Sequence, residues 1–233
     1  MSFTDAHFHS LGSEERLPES LVAGGCCGTH PGDWDAVVAD AERDSRIVPF
    51  IGLHPWWIET AKEGWEDALR SAFERHLGVG VGEIGLDRTS RSPSLDVQVE
   101  VLLIQLVLAQ EYRRPAVVHC VRAWGRLVEV LDEAYPPDAP LMLHGFSGSV
   151  EMMERLSKRS GTVFSCGVGA KPAVLREIPL EKLVFESDSS LGSNRKITDA
   201  ESAIRLAAET LGEPFSMVSK RAGAVFRRFV DQM

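Results

Sequence analysis

The 233-residue chain predicts an α/β fold, a (β/α)8 TIM barrel forming a single domain over residues 1–233. Three observations lead there. Eight short apolar segments alternate with segments of helical period, and that alternation demands parallel strands joined by helical crossovers. The length suits one closed barrel, which takes roughly 200 to 250 residues. Ionisable side chains also recur at the carboxyl ends of the predicted strands, the face on which barrels build their sites.

The first strand is read at Phe3 to His7 and the second at Leu21 to Cys27, short apolar runs punctuated by polar turns. Ile47 to Leu53 and Val79 to Ile84 follow as the third and fourth. Leu95, Val99, Leu102, Leu103 and Leu106 recur at three- and four-residue steps, the stripe of an amphipathic helix, ahead of a fifth strand at Ala116 to His119. Trp124, Leu127, Val128 and Leu131 mark the next helix, and the sixth strand is Leu141 to Leu143. Gly161 is expected to close the helix before the seventh strand, Thr162 to Cys166. After the eighth strand, Leu183 to Phe185, a helix is expected to open on a capping box from Thr198 to Glu201 and to stop at Gly212. Val218, Ala222, Val225, Phe226 and Phe229 give the final helix one apolar face. Arg88 to Pro93 and Ser189 to Lys196 read as polar loops. An open doubly wound sheet is the rival, but it wants a glycine-rich turn after the first strand, where this chain has Asp5-Ala-His-Phe-His9.

Hydrophobic content of 44% and charged content of 25% are those of a globular protein with one sizeable core. No apolar run approaches the roughly 18 residues of a membrane span, and the first residues carry no signal-peptide pattern, so the expectation is a cytoplasmic protein with no membrane association and no protein partner indicated. Cys26, Cys27, Cys120 and Cys166 form no C-x-x-C pair, which argues against both a disulfide framework and a cysteine metal site. The formal net charge of −9 repels nucleic acid globally; a polyanionic substrate has to be held by local cations or bound metal.

His7 and His9 fall at the end of the first strand, Glu83 at the end of the fourth, His119 of the fifth, His144 of the sixth, and Asp188 just past the eighth. A lone histidine in an apolar segment is usually a packed core residue; six such groups on one barrel rim read as a metal site. Residues two apart on a strand point the same way, so His7 and His9 serve one ion together. Six donors exceed what one tetrahedral ion uses, which predicts two divalent metal ions (Mg, Mn or Zn) with Glu83 bridging them. Asp188 then ligates one ion and acts as the general base toward water. Asp5 and Asp87 are read as partners that orient ligands or as turn residues, and His30 and His76 as surface residues.

Six stretches together resemble the TatD-type metal-dependent hydrolases of the amidohydrolase superfamily: Asp5-Ala-His-Phe-His9, Gly52-Leu-His-Pro-Trp56, Gly82-Glu-Ile-Gly-Leu-Asp87, Pro115-Ala-Val-Val-His119, His144-Gly-Phe-Ser-Gly148, and Ile178 through Glu186-Ser-Asp188. They span nearly the whole chain in the family's order. The resemblance implies the same six metal positions, and it makes His54 an active-site histidine that contacts the substrate phosphate. It also implies a divalent-metal-dependent deoxyribonuclease cleaving phosphodiester bonds with metal-activated water. The basic loop after Asp188 is shorter here than in the family, and the cation after His119 stands at Arg122. DNA would then be contacted by His54, Arg122, Lys171, Arg195 or Lys196, with Trp56 and Trp57 stacking an unpaired base or packing their loop. The alternative is hydrolysis of a small phosphate ester, amide or ester at the same site, favoured by the acidic surface; a catalytically silent binding scaffold is the third reading.

Overall fold

A computed structural model describes every residue except Leu11, Ser13, Glu14, Glu15, Ser90 and Met233. Eight parallel strands run in chain order around the sheet: β1 (Phe3–Phe8), β2 (Leu21–Cys27), β3 (Ile47–Ile51), β4 (Gly80–Asp87), β5 (Ala116–Val121), β6 (Leu141–Leu143), β7 (Thr162–Cys166) and β8 (Leu183–Phe185). Closure is made just past β8, where Asp188 donates its backbone N–H to the His7 carbonyl at 3.0 Å and His9 donates to the Ser189 carbonyl at 2.7 Å. The barrel predicted from the alternation is thus the one observed.

The helices are α1 (Trp34–Arg43), α2 (Trp65–Arg75), α3 (Leu95–Glu111), α4 (Trp124–Ala134), α5 (Val150–Ser157), α6 (Pro172–Glu177), α7 (Thr198–Leu211) and α8 (Phe215–Val230). Alternation is not strict. Among the described residues no helix lies between β1 and β2, and two helices follow β8. Helix α8 lays Val225, Phe226 and Phe229 against Ala6, Cys27, Phe50, Val117, Met142 and Val184, one residue from each of six strands, in a cluster separate from the larger core. A second, larger core of leucine, valine and isoleucine side chains lies between the strands and the surrounding helices.

Two local readings need correction. Thr198 does not cap α7 with its side chain; Ile197 occupies the cap position, and Asp199 instead accepts the Lys196 N–H at 3.0 Å. Gly161 lies beyond α5 and does not terminate it; a side chain there would overlap the Ala139 carbonyl, so close approach to the preceding loop demands the glycine. Gly212, by contrast, ends α7 in the left-handed conformation at φ 68°, as its position implied. The polar loops at 88–93 and 189–196 are present, with Ser90 outside the described residues.

Candidate metal centre

Strand β4 does not stop at Glu83 but runs on to Asp87, and the carboxylate is aimed by a register shift. Val81 pairs with Ala116 and Ile84 with Val118, so Gly82 and Glu83 together oppose Val117. Such a bulge re-aims a side chain, and here it turns Glu83 into the barrel mouth. Gly82 accommodates this at φ 156°, where an added Cβ would come within 2.7 Å of the Val117 side chain.

The six predicted residues meet around Glu83. On one side, Glu83 Oε2 lies 3.4 Å from His7 Nε2 and 3.5 Å from His9 Nε2, and Asp188 Oδ1 lies 3.7 and 3.5 Å from the same two nitrogens. On the other side, Glu83 Oε1 lies 2.9 Å from His119 Nδ1 and 3.2 Å from His144 Nε2. Each oxygen of one carboxylate therefore faces its own pair of imidazoles. Asp188 sits in the left-handed region at φ 51°, a conformation aspartate tolerates better than most residues.

The imidazoles are held by partners on their far nitrogens. His119 Nε2 lies 3.1 Å from Asp87 Oδ2, and His144 Nδ1 lies 3.1 Å from Glu186 Oε1. His9 Nδ1 donates to the Cys27 carbonyl at 2.9 Å. A carboxylate or carbonyl behind the ring is the habitual support of a metal-binding histidine, because it fixes both ring orientation and tautomer. Asp87 thus fulfils the orienting role read from the sequence. Asp5 accepts from the backbone N–H groups of His7 at 3.3 Å and Ser187 at 3.0 Å, so it pins the seam between β1 and the end of β8. Glu186 had no assigned role; its signal was present, since it precedes Asp188 by two residues and so points to the same side of an extended chain.

Protonation follows from burial and neighbours. Burial works against the Glu83 charge, but His144, His54 and His7 and the hydrogen bond from His119 hold its pKa well below the usual carboxylate range. Asp188, though buried, is drawn down to about 2 by its hydrogen bond with His9 and the charges of His144 and His7. Burial would discharge His144, but Glu186 and Glu83 raise it well above an ordinary imidazole; Asp188 and Glu83 do the same for His9, and Asp87 and Glu83 for His119. His7 is lowered by burial and by His144, and burial likewise lowers His54. His7 Nε2 is fully buried without a well-formed hydrogen bond, so a ring nitrogen sits unsatisfied beside two carboxylates. A cation between those groups would satisfy them all, and the donor set fits divalent metal.

His54 reaches the same point from the loop after β3, with Nε2 3.4 Å from Glu83 Oε1. Its Nδ1 accepts the Trp56 N–H at 3.1 Å, so neutral His54 carries its proton on Nε2 and presents a donor. An imidazole with one nitrogen already accepting has no second lone pair for a metal. Arg195 forms an ion pair with Asp188 Oδ2 at 2.9 Å. Lys171 lines a cavity of 290 Å³ beside His119, His144 and Arg195, whereas exposed Arg122 lines neither this cavity nor the larger one on the opposite side of the histidines. Trp56 donates its indole N–H to Asp87 at 2.7 Å and so belongs to the support of His119. His30, read as a surface residue, instead stacks against Trp57 and lines the larger cavity.

A closed parallel barrel with histidines and carboxylates gathered at one mouth defines a metal-dependent hydrolase of the amidohydrolase type. The chain belongs to the TatD family: the profile of "TatD related DNase" matches residues 4–230. It is 31% identical over 205 residues to the uncharacterized metal-dependent hydrolase YjjV of Escherichia coli, covering 80% of this chain and 79% of that one. It is 30% identical over 150 residues to the 3'-5' ssDNA/RNA exonuclease TatD of Erwinia amylovora, covering 59% of this chain and 56% of that protein. The crystal structure of E. coli YjjV superposes with a TM-score of 0.84 over 97% of both chains at 24% identity, a likeness of fold.

Proposed function

We propose that the protein is a nuclease that hydrolyses phosphodiester bonds of single-stranded DNA or RNA with two divalent ions. The observation that carries this reading is the division of Glu83, one oxygen toward His7 and His9 and the other toward His119 and His144. In it, His7, His9, Glu83 and Asp188 would hold one ion and Glu83, His119 and His144 the other, and the chemistry of the donors suits Mg, Mn or Zn. Two such ions supply charge for the phosphoryl oxygens and make water acidic enough to attack at neutral pH.

The chain's own groups divide the remaining work. Asp188, kept ionised by its hydrogen bond with His9 and the charges of His144 and His7, would take the proton from the attacking water. Arg195 aims Asp188 through their ion pair, and with Lys171 offers positive charge on the phosphate side. His54 donates from Nε2 to a phosphate oxygen, a contact that strengthens as charge develops there. The family name and the relative named as a 3'-5' ssDNA/RNA exonuclease support the polymer substrate. The net charge of −9 and the few cations at the site favour a small phosphate ester as the second reading. Placement in the cytoplasm is supported by four buried, unpaired cysteines.

An end-labelled single-stranded oligonucleotide incubated with Mg²⁺ or Mn²⁺ tests the proposal. The wild type is expected to shorten it, and Glu83→Ala to be slower by on the order of a thousandfold, because both ion positions lose a ligand. A wild type no faster than Glu83→Ala refutes the nuclease reading, and a panel of small phosphate esters assayed alongside decides the second one.

A further inference from the structure

Two adjacent tryptophans stand in unlike surroundings. Trp56 donates to Asp87, meets His54 edge-on, and carries the Arg91 guanidinium 5.0 Å above its ring, so its polar edge and one face are occupied. Trp57 lies against His30 instead, with ring centroids 4.4 Å apart and planes inclined by 39°; the two indoles are about equally exposed, 36% for Trp57 and 39% for Trp56, and differ in their partners. The turn beneath His30 is braced: His30 Nδ1 lies 3.0 Å from Asp33, which also accepts the Thr29 N–H at 2.9 Å and the Thr29 hydroxyl at 2.8 Å.

This His30–Trp57 pair is a wall shared by two cavities. On one side is the cleft of 690 Å³ that contains the candidate metal centre and the exposed side chain of Leu191. On the other is an outer cavity of 400 Å³, floored by Trp65, Ala61 and Ala68 at the start of α2, with Lys62 at its rim. The outer cavity is predominantly apolar, yet it abuts a cleft lined by charge.

We propose that the His30–Trp57 wall is a stacking subsite for two consecutive unpaired nucleobases, one in the cleft at the metal centre and the next in the outer cavity. The proposal rests on the nuclease reading and adds to it where the bases lie and how many are held. An aromatic face takes any base, because every base has a π-face, so the subsite grips a strand without reading its sequence. Lys62 and Glu63 both line the outer cavity, so its grip comes from stacking and not from net charge.

The test uses the metal-loaded protein and a set of oligonucleotides that are intact, or abasic at the last or the second-last nucleotide of the attacked end. Base–aromatic stacking amounts to about 1–3 kcal/mol, so the wild type should show KM raised about 5- to 150-fold for either abasic strand. Trp57→Ala should show the raised KM on the intact strand and lose the discrimination, while Trp57→Phe should recover most of it. Ala68→Glu, at an exposed helical position, should erase discrimination at one of the two nucleotides only. If Trp57→Ala still separates intact from abasic strands as the wild type does, or the wild type treats all three strands alike, the subsite is overturned while the nuclease reading stands. A wild type that shortens none of them overturns both.

Discussion

Glu186 accepts from the back of the His144 ring, and its other oxygen is buried without a partner. Removing its charge while keeping its shape should therefore loosen one imidazole and leave the barrel intact. Glu186→Gln is expected to weaken metal affinity about 10- to 100-fold, the usual effect of losing such support, measured by competition with a chromogenic chelator. Equal affinity in the variant and the wild type would mean that His144 is oriented by packing against His7, whose ring lies 3.9 Å away. His54 illustrates a finer distinction at this scale. The family resemblance gave it as a contact to the substrate phosphate, and the hydrogen bond from Trp56 to its Nδ1 leaves Nε2 as the nitrogen that can donate.

At the scale of elements, the bulge in β4 does the positioning. Two residues opposing Val117 turn Glu83 into the mouth, and the strand then re-enters register to carry Asp87 to His119. Gly85, at φ 144°, makes this possible, because a Cβ there would overlap the His119 backbone. Gly85→Ala is expected to cost about 2–4 kcal/mol, well above an ordinary surface change, since neither the backbone angle nor the neighbouring strand can accommodate it. Thermal unfolding should register this as a fall in Tm on the order of 10 °C; an unchanged Tm would show that β4 and β5 separate without cost. Much of this level was legible beforehand. All eight strands fall where apolar runs placed them, with ends differing by a few residues, because buried parallel strands must be apolar throughout. The unformed capping box at Thr198 was not legible, since it depends on what the chain packs against and not on local propensity.

For the whole molecule, the concentration of four carboxylates and five imidazoles in one buried mouth makes stability depend on metal. An ion that binds only the folded form stabilises it by mass action, about 2.7 kcal/mol at a hundredfold excess over Kd. Chelation should thus lower Tm, and the gap should widen with pH. The sign follows from His9, His119 and His144, whose folded pKa values are raised by carboxylate partners. Without metal their contribution is present below the unfolded imidazole value of about 6.5 and is lost as pH rises through the folded values. With metal those protons have already left, so loading is favoured in the same window. Calorimetry from about pH 6.5 to 8.5, with and without chelator, should show the metal increment growing; an increment that shrinks would place the cation away from these histidines.

The residue types alone determined the barrel and the membership of its rim. Alternating apolar strands and helices admit few closed architectures, and a closed barrel brings the carboxyl ends of its strands together wherever they lie in the chain. Tertiary structure alone decided which nitrogen of each histidine faces inward, how Glu83 divides its oxygens, and which partner each tryptophan takes. These depend on a bulge, on hydrogen bonds behind each ring and on contacts between distant loops, and such quantities are set by geometry across the fold and leave no local mark on the order of residues.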